Sequence, residues 1–296
     1  MPEFEVHSHW VTSSGRDGYA GVSDACFPYW SFTKTAIAIA TLKLVEAGAL
    51  DLDAPLDGQA YSLRQLLAHT SGLPDYGQLE DYHRAVADRQ PPWSRKKLLD
   101  IVLAKGLLFA PGDGWSYSNV GYMLVRELVE EVTSKPLGTV ISDLICQPLG
   151  LDSVELATGR PDFARLYWEA AADYDPNWVY HGCLIGTAAD AARLLQALFD
   201  GALLRPDTLG QMLSRRALGG AIPGRPWTDC GYGLGMMTGE MEGVGKAIGH
   251  TGGGPFSVNA VYHFPDLADP VTVASFIDGS DGGAVELEAA TRAHGE

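Results

Sequence analysis

The chain has 296 residues, enough for one large catalytic unit, and its apolar share of 46% allows a sizeable core. Its formal net charge of −16 repels phosphate backbones and anionic lipid, so neither nucleic acid nor a membrane surface is an expected partner. The most apolar helix candidate, Thr35 to Leu50, is interrupted by Lys43, Glu46 and Gly48, so no bilayer-spanning segment is expected.

The opening Met-Pro-Glu-Phe-Glu lacks a basic n-region and an apolar h-region, which predicts a cytoplasmic chain. The next residues, FEVHSHWV (4–11), alternate as a strand does. His7 and His9 share one face of it, but no third ligand accompanies them, so no metal is expected. A turn follows at Ser13 to Gly18. Cys26, Cys146, Cys183 and Cys230 form no CxxC pair and read as free buried thiols.

The segment PYWSFTKTAIAIATLKL (28–44) poses the main question. Ser31 precedes an apolar-periodic run, as an ordinary N-cap does. Lys34 lies one helical turn away on the same face, and a hydroxyl beside an amine is also a way to build a nucleophile. A second S-x-x-K, Ser94 to Lys97, supplies an internal control, because its charged first turn reads as a plain solvated cap. The helix after Ser31 carries Ile37, Ala40, Leu44 and Val45 on one stripe and ends at Gly48. A lysine buried at its start would have its pKa lowered from about 10.4 toward neutrality, leaving an amine able to take the serine proton.

Further helices are expected from Ser62, over 94–106, over 118–135, in LGTVISDLICQPLGL and in TAADAARLLQALFDG. His69, in AHTSG, reads as a helix C-terminus with a histidine on the dipole. From about Gly231 the chain turns to short β-rich runs between Gly, Pro and Asp turns, and GGAVELEAATRAHG closes it as a helix. This order predicts an α+β fold: an antiparallel sheet built from both termini, flanked by helices, with a mostly helical insertion. The single catalytic unit 1–296 then divides into a sheet part, about 1–57 plus 182–296, and a helical part, about 58–181.

Two more stretches carry candidate chemistry. In PGDGWSYSNVGY, Tyr117, Ser118 and Asn119 lie in a Gly-rich loop entering a helix; a turn with a cap competes with a phenol and an amide presented at a cleft. In GHTGGGPFSVNAVYHF, His250 and Thr251 precede Gly252, Gly253 and Gly254 at a strand, where another backbone can approach closely and a free N–H can serve an oxyanion hole. Asp24, Asp113 and Asp229 near these motifs are taken as turn formers. No H-E-x-x-H, G-x-S-x-G or phosphate-cradling loop is present.

In this order, with LLAHTSGLPDY, FAPGDGWSYSNVGYMLV, CLIGTAADAARLLQAL and GYGLGM between and around them, the three motifs resemble the serine β-lactamase and penicillin-binding-protein-like hydrolases. The likeness is to their class C β-lactamase, DD-peptidase and esterase branch. It implies a β-lactamase/transpeptidase-like fold and no cofactor. It also implies Ser31 as the acylated nucleophile, Lys34 hydrogen-bonded to it, Tyr117 as general base and acid, and Asn119 as the substrate-amide contact. His250, Thr251 and Gly252 match the third motif, with the N–H groups of Ser31 and Gly253 as the oxyanion hole. Two departures stand out. The third motif is HTG where β-lactamases of this branch usually have KTG, and fewer than thirty residues precede Trp30 where the family usually has two long strands.

The implied substrate is a small ester, amide or D-amino-acid peptide. An acyltransferase using the same acyl-serine, a true β-lactamase or DD-carboxypeptidase, and a non-catalytic binding homologue remain open beside the hydrolase. Pocket walls are expected from Pro74–Pro92 and Trp168–His181, with Tyr76, Tyr82, Trp93, Trp168, Tyr174, Trp178 and Tyr180. His250 is expected to be partly charged near neutral pH, and Arg225 is the nearest basic residue that could serve a substrate carboxylate.

Overall fold

The computed structural model describes residues 4–295. Its strands are β1 (Val6–Thr12), β2 (Asp17–Ala20), β3 (Cys26–Pro28), β4 (Glu155–Leu156), β5 (Leu184–Thr187), β6 (Arg216–Gly220), β7 (Trp227–Tyr232), β8 (Met237–Met241), β9 (Gly245–Gly253), β10 (Ser257–Phe264) and β11 (Val271–Asp278). Its α-helices are α1 (Thr33–Glu46), α2 (Leu63–Leu67), α3 (Glu80–Ala87), α4 (Arg95–Val102), α5 (Asn119–Thr133), α6 (Leu137–Ile141), α7 (Gln147–Leu149), α8 (Arg160–Phe163), α9 (Ala188–Phe199), α10 (Pro206–Leu213) and α11 (Gly282–His294).

The main sheet has eight strands in the order β2-β1-β11-β10-β9-β8-β7-β6. Its pairs are antiparallel, and β1 lies on β11 from Val6↔Ile277 to Thr12↔Val271, so both ends of the chain do build it. The short N-terminal stretch still supplies two strands, the second of only four residues. Every residue of β10 is buried, because both faces are covered. Val261 on β10 and Ala274 and Phe276 on β11 pack with the Ala191 and Leu194 side of α9. Val258, Ala260 and Tyr262, with Val273 and Ile277, pack with Val285 and Ala289 of α11. The period-2 alternation of a strand thus feeds two separate cores.

Helix α1 is more deeply placed than a one-sided stripe implies: every residue from Thr33 to Leu42 is buried. Small Ala36, Ala38 and Ala40, none with any exposure, let neighbours close in on all sides. A second sheet, β3-β5-β4, which the sequence reading did not anticipate, fixes the segment just before Ser31 through Phe27↔Gly186 and Pro28↔Ile185.

Several expected helices are shorter than their patterns. The one from Ser62 is a single capped turn and a half, with Ser62 and Gln65 forming a reciprocal capping box. The 94–106 helix is α4, followed by a 3₁₀ turn to Lys105 and by Gly106 at φ 74°. Helices α3 and α10 and strand β2 were not foreseen. Asp229 is not a turn former; it lies within β7, paired with Arg215 at 2.6 Å. Among the described residues no helix is long and apolar enough to cross a membrane.

The internal control behaves as a cap: Ser94 Oγ accepts the Lys97 N–H at 3.3 Å at the start of α4. Ser94→Ala is expected to cost about 1 kcal/mol or less of folding stability and to leave turnover unchanged. A urea titration and an ester assay on one preparation check both; loss of turnover would give Ser94 a chemical role.

Candidate active site

Ser31 is not a cap. It sits in a 3₁₀ turn, Trp30–Phe32, ahead of α1, and no side chain caps that helix. Its Oγ is instead 3.0 Å from Lys34 Nζ and accepts a hydrogen bond from the Tyr117 hydroxyl at 2.9 Å. The turn is held from several sides. Trp30 adopts a left-handed φ of 44°, an uncommon state for a bulky residue that the surroundings must enforce. Its indole donates to Ser257 Oγ at 3.0 Å and meets Phe163, Tyr174 and Phe256 edge-on. Strand β9 passes so close that a Cβ on Gly252 would lie 2.8 Å from Ser31 N, and one on Gly254 2.2 Å from the Trp30 ring. Two of the three glycines after Thr251 are therefore demanded by contact with the Ser31 turn.

Lys34 has no solvent exposure. Burial lowers its pKa to about 7, against the opposing pull of Asp75 and Cys183. Its ammonium end also lies 3.1 Å from His181 Nε2 and over the rings of Tyr117 and Tyr122. Burial acts the other way on Tyr117, raising its phenol above the ordinary tyrosine range, so it stays protonated. The Tyr117 ring packs against His69, the ring centres 4.3 Å apart and the planes tilted by 39°. His69 is not a cation on a helix dipole: it is buried in a left-handed conformation, its Nδ1 accepts the Ser118 N–H at 3.1 Å, and burial holds its pKa well below 6.5. Ser118 caps α5 through Gly121 N, which starts the helix just beyond Tyr117. Asn119 is clamped by Asp75, whose carboxylate accepts its backbone N–H at 2.9 Å and its Nδ2 at 3.2 Å.

The third motif needs correction. His250 is buried, and burial drives its pKa down to about 3, so it is neutral, not partly charged. Its Nδ1–H donates to Thr251 O at 2.7 Å, which leaves Nε2 to accept the Tyr232 hydroxyl at 3.0 Å. Thr251 Oγ1 is already engaged: it contacts Glu286 Oε1 and the Tyr262 hydroxyl, the latter at 2.7 Å. Arg225 does fold over this region, but as the partner of Glu286.

Two cavities meet at this centre. One, of about 330 Å³, is lined by Ser31, Asn119, His181 and Gly253 with the aromatic rings of Trp30, Tyr76, Tyr82 and Tyr174. The other, of about 640 Å³, is lined by Tyr117, Arg225, His250, Thr251, Gly252 and Gly253. Of the aromatic residues expected in the walls, Trp178 packs behind Tyr82, and Trp168 lies elsewhere, against Phe27. His7 and His9 stay on β1, each separately buried, with His7 Nδ1 accepting the Val22 N–H.

A family profile describing beta-lactamases matches residues 6–294. The chain belongs to the beta-lactamase family. Among curated relatives, esterase EstB of Burkholderia gladioli is 29% identical over 272 residues, covering 74% of this chain and 68% of that protein. Penicillin-binding protein 4* of Bacillus subtilis is 25% identical over 264 residues, covering 79% of this chain and 56% of that protein. In overall fold the chain resembles a D-amino acid amidase of Ochrobactrum anthropi, with a TM-score of 0.80 at 20% identity over 97% of this chain and 92% of the other. These likenesses fit the antiparallel sheet with flanking helices and place the chain among serine hydrolases of the β-lactamase fold.

Asp75 and His181 fall within the expected wall segments but with no role foreseen for either, and Tyr232 and Glu286 are not among the expected site residues. Asp75 lay inside a quoted phrase, LLAHTSGLPDY, with no local sign that it holds Asn119, 44 residues on. His181 lies 147 residues from Lys34, and no spacing rule links them.

Proposed function

We propose that this serine hydrolase works through an acyl-enzyme on Ser31 and cleaves a small ester or amide. The observation that carries the proposal is the pairing of Ser31 Oγ with a buried amine and a buried phenol, in place of any capping bond. With a pKa near 7, Lys34 spends about half its time neutral at neutral pH and can accept the Ser31 proton as Oγ attacks the carbonyl carbon. The phenol of Tyr117, which keeps its proton, is suited to hand it to the departing oxygen or nitrogen and to recover one from Lys34. Water then attacks the acyl-serine by the reverse route, and Oγ leaves with a proton returned to it.

The oxyanion is assigned to the N–H groups of Ser31 and Gly253. Neighbouring residues of a strand point their N–H groups to opposite edges. Gly254 N donates to Ser257 O on β10, so Gly253 N faces the other edge, where the pairing with β8 ends at Gly249. With its Nδ2 held by Asp75, Asn119 offers its carbonyl to a substrate N–H. The esterase name of a relative at 29% identity supports an ester as the simplest substrate.

A fluorophosphonate followed by peptide mapping tests the nucleophile. The adduct is expected on Ser31 and absent from a folded Ser31→Ala variant. An adduct on Ser94, or a Ser31→Ala protein that still hydrolyses p-nitrophenyl butyrate, overturns the assignment.

A further inference from the structure

The larger cavity bears on what leaves the acyl-enzyme, and the argument rests on the acyl-serine reading. Tyr117 lines this cavity and not the aromatic one, so a leaving group protonated by Tyr117 sits here. Its apolar walls are Trp115, Leu218, Ile222, Met237 and Val258. Besides the uncharged donors of Ser280 and the Trp115 indole, the wall holds one charged side chain, the Arg225 guanidinium, which lies beside the Thr251 hydroxyl and with it forms the pair suited to read a carboxylate.

Both are already occupied from within. Glu286 on α11 has no exposure and receives Arg225 Nε on Oε2 at 2.7 Å and Arg225 Nη2 on Oε1. Trp227 Nε1 donates to Oε2 at 3.0 Å, and Thr251 Oγ1 donates to Oε1. We propose that Glu286 is an internal carboxylate occupying the anion-reading position, so that the cavity accepts uncharged leaving groups and rejects those bearing a carboxylate. A substrate carboxylate would have to share one guanidinium with Glu286 beside it, two like charges against one cation in a mostly apolar wall. His250 is neutral there and adds no compensating charge.

The test compares phenyl butyrate with 3-carboxyphenyl butyrate, each rate divided by its rate of hydroxide hydrolysis. The native enzyme is expected to favour the uncharged ester tenfold or more in kcat/KM. Glu286→Gln keeps the shape, removes the negative charge and frees Arg225, so the preference is expected to fall to parity or reverse. In Glu286→Gln with Arg225→Leu the preference for the uncharged ester is expected to return. Binding of the two leaving groups themselves, phenol and 3-hydroxybenzoate, to the native protein reads the same discrimination without turnover, and also if the variants do not fold. A native enzyme that treats both esters within twofold, binds 3-hydroxybenzoate as well as phenol, or keeps its preference in Glu286→Gln overturns the inference. Failure to hydrolyse either ester, with phenol still bound in preference to 3-hydroxybenzoate, would instead count against the acyl-serine hydrolase reading.

Discussion

Lys34→Met is expected to lower kcat/KM for an activated ester by about 10³-fold, within the range that a positioned proton-transfer group contributes, while the protein stays folded. Methionine fills the same channel under Tyr117 and Tyr122 without an amine that must be desolvated, so the core has no reason to collapse. The native enzyme supplies the companion measurement. Because the amine acts as a base only when unprotonated, kcat/KM is expected to rise with pH up to about 7 and to level off above it. Below that point the loss is about tenfold per pH unit, as for any single required deprotonation. In Lys34→Met this limb should vanish along with the rate. A native profile flat between pH 5.5 and 8.5, or a Met variant within tenfold of native, would remove Lys34 from the chemistry.

Tyr117→Phe is expected to cost about 10²-fold or more in kcat, with less effect on a substrate whose leaving group needs no proton. The comparison of p-nitrophenyl butyrate with ethyl butyrate separates these cases, since p-nitrophenolate departs unaided and ethoxide does not. The ring itself should stay in place, held by its packing against His69. Combined with Lys34→Met, the loss should fall well short of the product of the single losses, because both groups serve one proton path. Equal losses on both esters would point to a role for the phenol in holding Ser31 rather than in protonating the leaving group.

The sheet, its construction from both termini and the closing helix were legible because strand alternation and Gly or Pro stops are local signals. The meeting of Ser31, Lys34 and Tyr117 was legible because three phrases in fixed order are specific even where each alone is weak. The environment of those residues was not. The charge of His250 depends on burial by Tyr232 and β10, and the engagement of Thr251 depends on Glu286, 35 residues away. The one-sided reading of α1 failed for a related reason: composition reports how apolar a helix is, but whether two or four neighbours surround it is settled by tertiary packing.

Three neutral imidazoles, those of His69, His181 and His250, surround the amine of Lys34, and burial holds the proton affinity of each below that of a free histidine. This arrangement couples the survival of the fold to acidity. An unfolded chain takes up a proton at each of these histidines as the pH drops through about 6.5, whereas the folded one refuses it down to about 3 in the case of His250. Above 6.5 the three have no effect; below it, each one draws the equilibrium toward the unfolded chain by about 1.4 kcal/mol per pH unit. The urea midpoint should therefore be markedly lower at pH 5 than at pH 7.5. The imidazoles packed around a lysine whose pKa burial brings near neutrality thus also help to set the acid boundary of the folded protein, and a compartment that acidifies would disable this enzyme by loosening its centre as well as by protonating Lys34.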